Sequence, residues 1–416
     1  MRKSLGLAMR AFVPLGFLLA HAVAVQAQTV EQPPTFNAAQ IPGIKRVGDN
    51  YTIQNPVKSD GILRIYVLTT PYGDIPVQGD EMLRMRINEL HALALLDKVS
   101  NSESFTKALA EAGLSPLKFA GNLVINPVGT VQNTFASVGN FFGRMSSGMN
   151  NAGKTPDDTM SNLLGVTDER RHLAAHYGVD PYTDFKPLAE RLQILSQAAA
   201  TGGLVVAGAM FAIPGGVAAI VVSNLSTASK LNGMGLDEVA RDYDAAQILD
   251  INRAALKKMG VDDDLSNKLL ANTNYTPIDM AAMVAALDTM ADVQDRAAFV
   301  SRAAAADGRA IAYVLRRTAE LLAADYRKHG GYVRFVSLAA FPYVITRDGR
   351  IMAILPIDAL SWTRETAAGF TAVSRERRRA APNAHGELRI TGTATPLAKR
   401  ELKEQGWTVV EHQPRT

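Results

Sequence analysis

Glu169, His172 and His176 fall at i, i+3 and i+7, so a helix through them would bring all three to one face. A carboxylate and imidazoles at that spacing can hold a metal ion when neighbouring helices add further ligands. No second Glu-x-x-His is evident, and Arg170 and Arg171 would repel a cation. The residues therefore read first as a solvated helical face and second as a metal or catalytic group. His91 and His329 read as a helix-face and a helix-end histidine.

Residues 148–155, from Gly148 to Thr155, match the phosphate-binding P-loop pattern. That motif works when a buried strand feeds a glycine loop whose amides open a helix. Here apolar helical spacing precedes it and Pro156 turns Thr155 away from helix, so no nucleotide is expected. Asp262, Asp263 and Asp264 lack the glycine and terminal glutamate of a calcium loop, and capping of a following helix explains them better. Gly-x-Ser-x-Gly and His-Glu-x-x-His are absent. No cofactor is expected. Arg375, Arg377, Arg378 and Arg379 could meet anionic lipid, with Arg377 and Arg378 the candidate contacts, but proline, alanine and asparagine around them favour a solvated linker.

The elements that must position these residues follow from the rest of the chain. Its 416 residues, 47% hydrophobic and 20% charged, are ordinary for a globular protein, and a net charge of +4 gives no nucleic-acid footprint. Arg2 and Lys3, an apolar run from Ala11 to Ala20, and Val25-Gln26-Ala27 form a secretory signal peptide cleaved after Ala27. The expected location is periplasmic or secreted, with a possible membrane surface or envelope protein as partner. With no cysteine, stability rests on packing alone.

Residues 28–42 read as a flexible leader. Strands are expected near residues 45–53 and over residues 62–70, then a helix from Asp80 to Val99 with Asp80 as its cap. Phe135, Val138 and Phe142 lie on one apolar helical face, a surface for the body of the protein or for a membrane. Between Arg191 and Lys230 no residue is charged. Pro214-Gly215-Gly216 divides this run, and Phe211 and Ile213 lie near its tip. It is read as a buried αα-hairpin in preference to a membrane-inserting tip, a span, or the cover of an apolar-ligand gap, because a break at mid-run leaves backbone groups unpaired in lipid.

Helices follow to His329, one of them starting at Thr276-Pro277-Ile278-Asp279. The period changes to two after Gly330-Gly331, giving strands over residues 332–356 that should join the N-terminal strands in one small antiparallel sheet. Residues 374–387 read as a basic linker and residues 388–416 as a strand–helix–strand unit, too small to hold its own core. The expected fold is α+β: residues 43–373 form the main domain, a mainly helical body over residues 80–330 around the hairpin, with the sheet and the tail appended. The expected role is a binding or structural one at the cell envelope, with an enzyme, a metal protein or an apolar-ligand carrier as alternatives.

Overall fold

The computed structural model describes residues 29–100, 103, 106, 167–202, 230–231, 233–339 and 341–415. Residues 1–28, which include the expected signal sequence, Phe135, Val138, Phe142, the P-loop-like stretch, Phe211, Ile213 and most of the charge-free run lie outside the described residues. The class is mixed α+β, about 51% helical and 20% strand. Among the described residues no helix is long and apolar enough to cross a membrane.

Strands β1 (Val47–Gly48), β2 (Tyr51–Ile53), β3 (Lys58–Ser59), β4 (Arg64–Thr70) and β5 (Gly73–Gln78) make one antiparallel sheet around β4. A second sheet runs β14-β12-β10-β9-β8, from Trp407–Val410 through Gly386–Ile390, Ile351–Leu355 and Phe341–Thr346 to Tyr332–Leu338. The sequence expectation of one shared sheet is corrected here. The edge of β10 away from β9 is already taken by β12, which pairs with it in parallel from Ile351↔Gly386 to Leu355↔Ile390. No edge of β10 remains for the N-terminal strands, and the short strands β11 (Ala359–Leu360) and β13 (Thr393–Ala394) pair in parallel with each other.

The tail completes this sheet. Helix α10 (Arg364–Ala380) connects β10 to β12, and α11 (Pro396–Glu404) connects β12 to β14, each link joining parallel strands. Parallel neighbours require such crossovers. Residues 374–380 thus close a helix rather than form a linker, because Arg377 has a place in the core. Its guanidinium lies 5.4 Å from the Trp407 ring centroid and donates to the Ala384 and Gln405 carbonyls. Nor do the described leader residues hang loose: Glu31 exchanges backbone and side-chain hydrogen bonds with Trp362, and Phe36 bridges Val57.

Helix α1 spans Asp80–Ser100, and α2 (Asp168–His176) and α3 (Lys186–Gly202) follow among the described residues. The apolar face of α3 buries Leu188, Leu192, Leu195 and Ala198 completely. After the β6–β7 hairpin (Lys230–Leu231, Met234–Gly235) come α4 (Leu236–Asp242), α5 (Ala245–Lys258) and α6 (Asp263–Leu270), the last capped by Asp262 at 2.8 Å as its sequence suggested.

The centre of the described body is α7 (Pro277–Thr289). Every residue from Pro277 to Leu287 on it is buried, as expected of a helix without a polar face. Thr276 and Asp279 form its capping box, at 3.1 and 3.0 Å. Helices α8 (Arg296–Ala304) and α9 (Arg309–His329) complete the body, and α9 lies against α7.

An alternating chain of charges runs through this core. Glu89 meets Arg86 at 2.7 Å, Arg86 meets Asp184 at 3.1 Å, and Arg309 joins Asp184 at 3.1 Å to Asp279 at 2.6 Å. Arg316 links Asp279 at 2.8 Å to Glu320 at 3.2 Å, and Arg317 links Glu320 to Glu81. Arg415 then joins Glu81 and Asp80 at 3.0 Å each, and Arg64 closes the chain on Asp80 at 2.8 Å. Asp80 is therefore not the cap of α1, since its carboxylate is occupied by Arg64, Tyr66 and Arg415. The fully buried Asp358 accepts the Asp80 amide at 3.0 Å in its stead. Burial and the nearby Asp80 carboxylate hold the Asp358 carboxyl well above the usual carboxylate range.

Removing one member of a buried pair strands the other's charge in low dielectric, at a cost of roughly 3–5 kcal/mol. Arg316→Met should destabilise the protein by about that amount in urea denaturation, and a loss below about 1 kcal/mol would show the chain of ion pairs to be energetically idle.

Burial pushes Glu89 up to about 7 against the pull of Arg86, whereas Arg309 and Arg86 hold Asp184 down to about 2 despite its burial. A carboxyl that keeps its proton more tightly when folded contributes stability at acid pH that is lost as pH rises through its folded pKa. Asp180, pushed up to about 6 chiefly by burial, acts in the same direction. Stability should therefore fall between about pH 4 and pH 7. Glu89→Gln should flatten that decline, whatever the variant's overall stability, and thermal melts across the range read the slope; an unchanged slope would place the titration elsewhere.

Candidate functional site

The last turn of α9, the two glycines after it and the β9–β10 hairpin line an open cleft of about 250 Å³. Asp325 and His329 reach it from the helix, Tyr332 from the start of β8, Thr346, Arg347, Asp348 and Arg350 from the hairpin, and Arg389 from β12. Met352 lines it from β10 and is buried. Gly330 and Gly331 end the helix at φ of 62° and 84°, a conformation that other residues adopt only with strain. They turn the chain directly from helix into strand, so helix end and hairpin face each other.

Asp325 organises the inner wall. It accepts from the Tyr332 hydroxyl at 2.7 Å and from Arg389 Nη1 at 2.8 Å, and His329 Nδ1 stands 3.0 Å from it. Burial and the adjacent Asp325 carboxylate raise the Tyr332 pKa far above the ordinary phenol value, so this hydroxyl is a fixed donor at neutral pH. Glu387 bridges Arg389 Nε, at 2.5 Å, and Arg350 Nη1, which holds the two guanidinium groups side by side. Arg350 Nε also binds Asp348 at 2.8 Å.

Chemically this is a surface of donors. With its Nδ1 turned to Asp325, His329 keeps Nε2 for a bound molecule. Both hydroxyls of the lining are already donating, Tyr332 to Asp325 and Thr346 to Asp348, so neither is poised beside a base as a nucleophile. The arrangement suits holding a ligand and exchanging a proton with it.

The residues singled out by sequence spacing do not assemble. On α2, Glu169 and His172 are exposed, while His176 is half-buried with its ring edge-on to Tyr177 at 5.0 Å. Arg170 and Arg171 turn inward instead, Arg170 to Gln193 and Arg171 to Asp168 and the Arg241 carbonyl. Among the described residues no group of three or more His, Asp or Glu side chains could hold a metal ion. Arg378 is exposed, but Arg377 is 5% exposed and has its place against Trp407, which removes it as a headgroup contact. His91 is exposed on α1 as expected, and His329 does end a helix, yet spacing alone did not mark it as a cavity residue. The Asp325–His329 separation of four, followed by Gly330-Gly331 and then Arg347-Asp348-Gly349-Arg350, is the signal that could have found the site.

No protein family, curated protein or solved structure matches this chain.

Proposed function

We propose that this is an exported cell-envelope protein that works by binding, with the cavity between the end of α9 and the β9–β10 hairpin as its ligand site. One observation carries the reading. Here, as in the core, arginine and carboxylate alternate, from Asp325 through Arg389, Glu387 and Arg350 to Asp348, but these side chains border an open cleft and guanidinium N–H groups are left over. Unspent donors along an open cleft are what a polar ligand requires. Export is supported by the basic start, apolar run and small-residue site ending at Ala27.

The chain recovered from the envelope fraction should begin at Gln28, and a full-length chain kept inside the cell would contradict export. For the ligand site, the mature protein is melted against a panel of sugars, amines, and organic and inorganic anions. A ligand at about 100 times its Kd adds roughly 2.7 kcal/mol and a visible rise in Tm. His329→Trp, which places bulk at the mouth, should abolish the rise. A panel with no stabilising solute, or a rise that survives His329→Trp, would contradict the reading.

A further inference from the structure

We infer that the ligand is a small monocarboxylate, its carboxylate received by Arg350 and Arg389 with Arg347 at the mouth. This rests on the cavity being the ligand site. The first ground is a count of hydrogen-bonding capacity. All six oxygens of Asp325, Asp348 and Glu387 already accept: Asp325 from Arg389, His329 and Tyr332, Asp348 from Thr346 and Arg350, Glu387 from Arg389 and Arg350. On the donor side capacity remains. Arg350 uses Nε and Nη1, and Arg389 uses the same two atoms, which leaves each Nη2 without a protein partner among the described residues. Arg347 is exposed and acts on Asp292 only at a distance, without a direct ion pair among the described residues. A ligand that fits must accept, and a planar carboxylate accepts from paired guanidinium groups with matched geometry.

The second ground is charge. Three arginines stand against Asp325, Asp348 and Glu387, and Asp292 lies within electrostatic reach of Arg347, so the cluster has no surplus of positive charge. A single negative charge on the ligand can be met by the guanidinium N–H groups left over, whereas each further charge would face Asp325, Asp348 and Glu387 uncompensated. The third ground is size. A cavity of about 250 Å³ is below the range of drug-sized sites, and Met352 with the two glycines gives it an apolar wall. That wall suits a short hydrocarbon chain behind the carboxylate.

The experiment titrates the full mature protein with sodium propionate at constant ionic strength, reading the His329 ring signals by NMR, assigned by their loss in His329→Gln. Propionamide, succinate and inorganic phosphate are the comparison probes. A saturable shift with propionate, none with propionamide, weaker binding of succinate and phosphate, and roughly tenfold weaker propionate binding in Arg347→Ala support the inference. Arg347 is exposed on the hairpin, so this variant keeps the fold. Equal response to propionamide overturns the need for a carboxylate, and tighter binding of succinate or phosphate overturns the single charge; either result leaves the cavity standing as a ligand site. If none of the four probes shifts His329 while another panel solute stabilises the protein through the cavity, the ligand class alone is wrong. If no panel solute acts there either, the binding reading itself fails.

Discussion

A guanidinium removed from water must find acceptors, and along α9 those acceptors are carboxylates; this requirement organises the helical body. Helix α9 buries Arg316 and Arg317 together with Glu320, and the partners of these side chains lie on α7 and α1. Hydrophobic packing alone would let α7 and α9 slide or rotate with modest loss. The Asp279 carboxylate, held between Arg309 and Arg316 and tied to its own cap at Thr276, fixes the register. Such pairs add little to net stability compared with apolar side chains of equal volume, and we ascribe to them the choice of one arrangement over its neighbours.

The same helix carries the cavity at its other end. Its first half is held by the ion-pair chain and its last turn presents Asp325 and His329, so the position of the cavity follows from charges buried several turns away. Arg389 reaches Asp325 from the tail, which makes the C-terminal strands part of the site as well as part of the sheet. Core and cleft differ in one respect: the core chain of ion pairs is packed within the body, and at the cleft guanidinium groups border open space.

Local features were legible in the sequence. The capping residues Thr276 and Asp262, the turn at Asp348-Gly349 and the strand–helix–strand order of the tail all depend on near neighbours, and their residue types announce them. What the sequence left open is non-local. The parallel pairing of β10 with β12 follows from no periodicity within either strand. Arg86 finds Asp184 across 98 positions and Arg309 finds it across 125. A run of arginines reads as a solvated face, and only Trp407 beside Arg377 makes one of them a core residue. The cavity was missed for the same reason, because its walls come from four segments whose meeting is a tertiary fact. The charge-free run was read as the centre of the fold, and within the described residues that position belongs to α7.

Native-state hydrogen exchange tests the central claim most directly. If buried ion pairs lock α7 and α9 together, the amides of residues 279–287 and 312–322 exchange only through global unfolding and share its free energy. Exchange of those amides through a smaller, local opening, while β9 and β10 stay protected, would show that the sheet holds the fold and that the charge chain merely decorates it.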